Sequence, residues 1–390
     1  MKTLLVLFAA LLAAPAFAQT SRLQNVENPT PAGATQANLT NGAAGDLLLS
    51  WLEADKAGDY SLRYSVRHAG AWSPARTIAA RRPFFHHPAE LPEVMALSDG
   101  SLVAHWIETA ANSDADDAEF VNVSASRDGI KWTAPIVAHR DRHPVEHGLA
   151  SMTASGDHEV SIVWLEALKG PDAPTAMKRS VLTFDGTAVK LIKEESLVPD
   201  VCECCPTSVI RTAKGLLVAY RAHSKADIRD IAVTRLEAGK WTPGKIVAAD
   251  NWEIDACPTN AASAAIAGNN VTVSWYTAAG NKARVEAAVS ADGGATFGKA
   301  ITVSTGQAYG YASSAADTSG AFVSWLERNA SGGASVLARY VKTSGELGPV
   351  IEVAQGTRQA LGYPRLLHAG NETWITWNTK EKAQTARLLQ

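Results

Sequence analysis

Short apolar runs recur along this chain, each ending on the same signature, an aromatic residue followed by a polar one. Leu48-Leu49-Ser50-Trp51-Leu52-Glu53 returns as Val103-Ala104-His105-Trp106-Ile107-Glu108 and as Ile162-Val163-Trp164-Leu165-Glu166. Val218-Ala219-Tyr220-Arg221, Val273-Ser274-Trp275-Tyr276-Thr277, Val323-Ser324-Trp325-Leu326-Glu327 and Ile375-Thr376-Trp377-Asn378 complete the series. The aromatic positions are separated by 55, 58, 56, 55, 50 and 52 residues. Each run is preceded by a strand of small residues and a Gly or Asn turn, such as Ser98-Asp99-Gly100. It is followed by an alternating strand such as Tyr60–Ser65, then a further turn and strand. This period-2 pattern, broken by turn residues and without helical periodicity, predicts four short strands per unit.

A four-stranded unit repeated at this period is the blade of a β-propeller. The chain is therefore expected to be all-β, with seven blades; six is the alternative if one copy is irregular. The seventh copy runs out of chain after its third strand, Gln384–Leu389, so its outer strand is expected from Arg22–Asn28. That pairing would leave no open edge where the ring closes.

The N-terminus reads as an export leader: Lys2, an apolar run from Leu4 to Ala14, and the small-x-small site Ala16-Phe17-Ala18. Cleavage after Ala18 would leave residues 19–390 as one periplasmic or secreted propeller without a membrane anchor. The formal charge of −3 is mixed along the chain, and no basic patch suits nucleic acid. The expected partners are a small molecule, a glycan or a metal ion. The oligomeric state is open.

Propeller geometry collects on one face the residues that precede each inner strand and those that end each second strand. That face carries His86, His87 and Glu90, then Glu146 and His147, then Cys202-Glu203-Cys204-Cys205-Pro206-Thr207 and Asp255-Ala256-Cys257-Pro258-Thr259-Asn260. Tyr309, Tyr311, Tyr363 and Arg365 follow in the last two blades. The Cys-Pro-Thr echo places Cys202, Cys204, Cys205 and Cys257 at equivalent loops of neighbouring blades. Three readings stand for them. Disulfides are the default after export. A soft-metal site would join thiolates to an imidazole of His86, His87 or His147 and suit Cu(I) or Zn. A redox-active dithiol is the third. The dense segment Arg221 to Asp230 offers Arg221, Asp227 and Arg229, with Tyr309 and Tyr311, as ligand-binding candidates for an anionic group. Its plain alternative is a solvated loop pairing within itself. The repeated Glu of the signature is expected to cap loop amides in each blade.

Two turns narrow the architecture. Ser290-Ala291-Asp292-Gly293-Gly294-Ala295-Thr296-Phe297 fits S-x-D-x-G-x-T-[WF], and Ser126-Arg127-Asp128-Gly129-Ile130-Lys131-Trp132 is one residue shorter. Here the chain resembles the sialidase-like, Asp-box (BNR repeat) propeller superfamily, and its Cys-x-Cys-Cys-Pro motif resembles an exported bacterial subgroup of it. For an exo-sialidase the resemblance implies an arginine triad, a tyrosine nucleophile assisted by glutamate, and an aspartic acid/base. The candidates are Arg221, Arg365, Tyr309, Tyr363 and Glu327. The sequence departs from that pattern: it has no Phe-Arg-Ile-Pro segment in the first blade, and it has seven repeats where catalytic sialidases use six. The cysteine cluster has no part in such a mechanism, which favours an accessory or binding role over glycoside hydrolysis.

Overall fold

A computed structural model describes residues 22–110, 118–168 and 173–390. The expected leader, residues 1–18, lies outside them. The described residues form seven antiparallel sheets arranged as the blades of a propeller. The innermost strands are Thr35–Asn41, Glu93–Ala96, His147–Ala154, Ser208–Thr212, Ser263–Ala267, Ala308–Asp317 and Arg365–Ala369. The second strands, Leu47–Ala54, Leu102–Thr109, Glu159–Ala167, Gly215–Arg221, Asn270–Thr277, Gly320–Arg328 and Glu372–Asn378, carry the recurring signature. Seven blades are present, and none of the copies drops out. Leu23–Val26 pairs with Ala383–Leu388, Leu23 opposite Leu388 and Val26 opposite Thr385, and closes the seventh blade. The pattern gave no sign of the α-helical turn Arg358–Leu361, which Thr357 caps by accepting the Ala360 N–H. A single turn is too short to show a helical period.

Composition explains why the strands sit where they do. The seven inner strands converge on the axis, and there the chain is small and hydroxylic, as in Ala312-Ser313-Ser314-Ala315-Ala316 and Ser263-Ala264-Ala265. A serine near the start of successive inner strands ties its blade to the next. Ser208 Oγ accepts the Ala264 N–H (3.0 Å), Ser263 Oγ that of Ser314 (2.9 Å) and Ser313 Oγ that of Leu366 (3.0 Å). The axis keeps a cavity of about 350 Å³ lined by all seven inner strands, with Glu93 and Arg365 among its walls.

Between blades, Trp51, Trp106, Trp164, Trp275 and Trp325 are almost completely buried. Each large indole fills the gap between neighbouring sheets, which is where most of the apolar burial of a radial fold lies. In blades 1, 2 and 6 the signature closes on itself. The indole N–H donates to the glutamate two residues on: Trp51 to Glu53 (3.0 Å), Trp106 to Glu108 (2.6 Å) and Trp325 to Glu327 (2.9 Å). The repeated acid thus serves chiefly its own tryptophan, which satisfies a buried donor. Capping is an added task in blade 6, where Glu327 also accepts the Thr305 N–H at 3.0 Å.

The turn at Ser290–Phe297 is held by its own side chains. Asp292 accepts the Thr296 N–H (2.9 Å), Ser290 Oγ accepts the Gly294 N–H (2.9 Å), and Gly293 and Gly294 both adopt positive φ. At Ser126–Trp132, Asp128 accepts the N–H groups of Ile130 and Lys131, each at 2.8 Å.

Candidate functional site

The sulfur cluster is built by two chain segments that enter inner strands of adjacent blades. Val201–Thr207 leads into blade 4 and Asp255–Asn260 into blade 5. The Cys202 N–H donates to the Arg221 carbonyl at 3.1 Å, which pins the first segment to the end of the second strand of its own blade. The second segment is held by the left-handed backbone of Thr259 and by Asn260, whose side-chain oxygen accepts the Tyr311 N–H at 2.7 Å.

Three sulfurs converge as a result. Cys202 Sγ lies 3.5 Å from Cys205 Sγ and 3.9 Å from Cys204 Sγ, and all three lie within 4.8 Å of one another. A second group shares one of them: Cys204 Sγ, Cys257 Sγ and a Glu203 carboxylate oxygen also lie within 4.8 Å of one another. Cys204 belongs to both. Cys202 and Cys205 are buried, Cys204 is half-buried and Cys257 is exposed, so the cluster opens outward at Cys204 and Cys257.

Charge is compensated locally. The buried Arg229 donates to Cys202 Sγ at 3.3 Å and to Glu203 at 2.8 Å, while Cys257 Sγ lies 3.1 Å from the other oxygen of Glu203. Hydrogen bonds from the neighbouring thiols of Cys204 and Cys205, aided by Arg229, pull the Cys202 thiol well below its ordinary pKa. Cys204 moves the opposite way because it shares its proton with Cys202, and burial raises Cys205. Within the trio, the guanidinium thus favours the thiolate form at Cys202.

The histidines go elsewhere. The His86 ring packs on Tyr60 with centroids 4.0 Å apart. His87 stacks beside Phe85, and its Nδ1 accepts the Ala89 N–H at 3.3 Å. His147 is fully buried in blade 3, against His139. Among the described residues, the side chain that shares a ligand-forming group with the sulfurs is Glu203, and no histidine does so.

Arg221 is 1% exposed, and its donors are occupied by the carbonyls of Arg229 (2.7 Å), Tyr276 (2.9 Å) and Asn260 (3.2 Å). Its guanidinium stacks over Trp252 at 5.1 Å. It therefore locks the loops around the cluster together and offers no fork to a carboxylate. Asp227 pairs with His223 at 3.1 Å, and Asp230 accepts the N–H groups of Asn251 and Trp252, so the charged loop is bonded both within itself and to the segments beside it. Arg365 stands in the axial cavity near Glu93, whose carboxyl burial pushes up to about 7. Tyr363 donates its hydroxyl to the Thr259 carbonyl and packs on Tyr311, centroids 4.1 Å apart. Arg358 lies over Tyr309 (5.4 Å) and Tyr311 (5.0 Å) and donates to the Tyr311 hydroxyl at 2.7 Å. With Glu327 held by Trp325 and Thr305, the expected hydrolytic set is dispersed over bonded positions.

No family model matches the chain, and no curated protein does. Solved structures do. An ulvan lyase of a polysaccharide lyase family aligns with 94% of this chain and 96% of its own, at 8% identity and a TM-score of 0.61. A second polysaccharide lyase aligns over 97% and 91%, at 9% identity and a TM-score of 0.50. The chain shares the propeller fold of these lyases. A Trypanosoma rangeli sialidase mutant is also similar, at 12% identity over 90% of this chain and 60% of its own, with a TM-score of 0.48.

Sequence reasoning missed Arg358, which sits in the one-turn helix, and His139, which stacks on His147. It also missed Glu203 as a partner of the sulfurs. Glu203 lies inside the Cys-x-Cys-Cys motif itself, and that position was the available signal.

Proposed function

We propose that the protein is an exported propeller that holds a soft metal ion, Cu(I) or Zn(II), on Cys202, Cys204 and Cys205, in a binding or accessory role. The sulfur spacing carries this reading. Around a metal with M–S bonds of about 2.3 Å, tetrahedral geometry puts sulfurs about 3.8 Å apart. The Cys202–Cys205 and Cys202–Cys204 distances of 3.5 and 3.9 Å bracket that edge. Thiolates select soft and borderline ions over hard ones. Arg229 offsets the charge of the buried sulfurs, and the half-buried Cys204 gives a route in. Because Cys204 also meets Cys257 and Glu203, a thiolate bridge to a second ion is the natural extension of the same site.

The test is metal analysis with thiol titration on protein exported to a bacterial periplasm. The expected outcome is at least one Cu or Zn per chain, lost in Cys204→Ser. Metal-free protein with all four cysteines oxidised to disulfides would overturn the proposal. On this reading a fluorogenic sialoside is not turned over; turnover abolished by Glu327→Gln would instead support the exo-sialidase alternative.

A further inference from the structure

Blade 3 departs from the rule its sister blades follow. Its signature, Trp164-Leu165-Glu166, matches those of blades 1, 2 and 6, yet Glu166 does not accept the indole N–H of its tryptophan. Trp164 Nε1 is fully buried and has no partner. A buried donor left without a partner destabilises the fold unless something nearby compensates. Glu166 turns instead to Lys178, which bonds Oε1, and it leaves Oε2 without a hydrogen bond.

That free oxygen faces His147 Nε2 at a distance of 3.7 Å, and neither side chain is more than 3% exposed. The imidazole tautomer follows from its other edge. Nδ1 lies 2.9 Å from the Val145 carbonyl and 3.1 Å from the Glu119 carbonyl, which can only accept, so Nδ1 carries the hydrogen. In the neutral ring Nε2 then presents a bare lone pair, and it too has no hydrogen-bond partner. Two buried lone-pair donors thus face one another, and a cation between them resolves the conflict. A carboxylate oxygen of Asp141 completes the set, all three ligand atoms lying within 4.8 Å of one another.

We propose that His147, Glu166 and Asp141 form a second metal site, for a hard or borderline divalent ion such as Mn(II) or Zn(II). One imidazole and two carboxylates suit such an ion and do not suit Cu(I). The outer groups match those that orient metal ligands: the His147 Nδ1–H is fixed by carbonyls and Glu166 Oε1 by Lys178. His139 stacks flat behind His147, centroids 4.1 Å apart and planes 3° apart, and fixes the ring plane. The Asp141 side chain is 26% exposed, which gives the ion an entry and leaves room for water as a further ligand. The site shares no residue with the sulfur cluster.

The experiment uses the full mature chain, stripped with a chelator and titrated with Mn(II) by electron paramagnetic resonance. Mn(II) is chosen because thiolates hold it poorly. One bound Mn(II) is expected, with affinity at least tenfold weaker in Glu166→Gln and in His147→Gln. In the unsubstituted chain, the 15N signal of His147 Nε2 should be that of an unprotonated nitrogen and should shift on Zn(II) addition. Equal Mn(II) affinity in the Gln variants would overturn the proposal. So would an Nε2 that carries a proton at neutral pH and does not respond to Zn(II), because a proton would then fill the gap. If His147→Gln fails to fold, the near-isosteric Glu166→Gln and the 15N measurement decide.

Discussion

Arg221 gives the sharpest test of how the mouth of the propeller is held. Its guanidinium joins three carbonyls from three segments: Arg229 in its own blade, Asn260 ahead of the next inner strand, and Tyr276 at the end of the next second strand. In Arg221→Ala all three acceptors lose a charged donor, and Trp252 loses the cation stacked on it. A buried acceptor left bare costs about 1–3 kcal/mol. Allowing for partial filling by water, the loss should total about 4 kcal/mol. Unfolding entropy is about 2.1 cal/mol/K per residue, or about 0.8 kcal/mol/K for a chain of about 370 residues. The midpoint should therefore fall by about 5 °C in differential scanning calorimetry without added ligand. Arg221→Lys keeps the charge but not the fork, and should lose more than half as much. A midpoint within about 1 °C of the unsubstituted protein for Arg221→Ala would refute this account and return Arg221 to the pool of ligand-binding residues.

Other expectations follow from the same contacts. Gly148→Ala should cost about 2 kcal/mol by chemical denaturation, because a Cβ there would sit 1.8 Å from Glu119 Oε1 and 2.7 Å from Glu90 Oε1; an unchanged midpoint would contradict it. Burial pushes the Glu90 carboxyl up to about 8 from an ordinary value of 4.5, with Glu146 adding to the rise. The folded state thus holds a proton that the unfolded chain releases, so stability should fall as pH climbs from about 5 to 8, and Glu90→Gln should flatten that slope. Removing residues 19–26 should strip the outer strand from the last blade and lower the thermal midpoint by several degrees, with greater susceptibility to proteolysis there; unchanged melting would mean the strand contributes nothing.

The blades were legible because their marker is local. A tryptophan at a fixed place in a period-2 strand declares its unit without any knowledge of its neighbours. The cysteines were legible for a related reason: the Cys-Pro-Thr echo fixed them at equivalent places in two copies, and the structure brings the three sulfurs of blade 4 together with Cys257 beside Cys204. The histidines show where this reasoning stops. Repeat register assigns a residue to a face but not to a direction, and neighbouring packing turned His86 towards Tyr60 and His147 towards His139. Arg221 illustrates the same limit. Its break from the repeated acid was visible in sequence, but its carbonyl partners lie on Asn260 and Tyr276, 39 and 55 residues away. The blade 3 exception was invisible for a further reason: Trp164-Leu165-Glu166 reads like its siblings and differs only in which way the carboxylate turns.

The strand Leu23–Val26 that completes the last blade sets an order of events. It is made before every other strand of the ring, and its partner Ala383–Leu388 is made after all of them. Until that partner arrives, the earliest strand has no edge to join, and six blades must wait in an open arc with the seventh unfinished. The ring can thus close only after residues 383–388 have been made. A stalled or truncated product would carry an unpaired strand at each end, open to joining another molecule and to quality-control proteases.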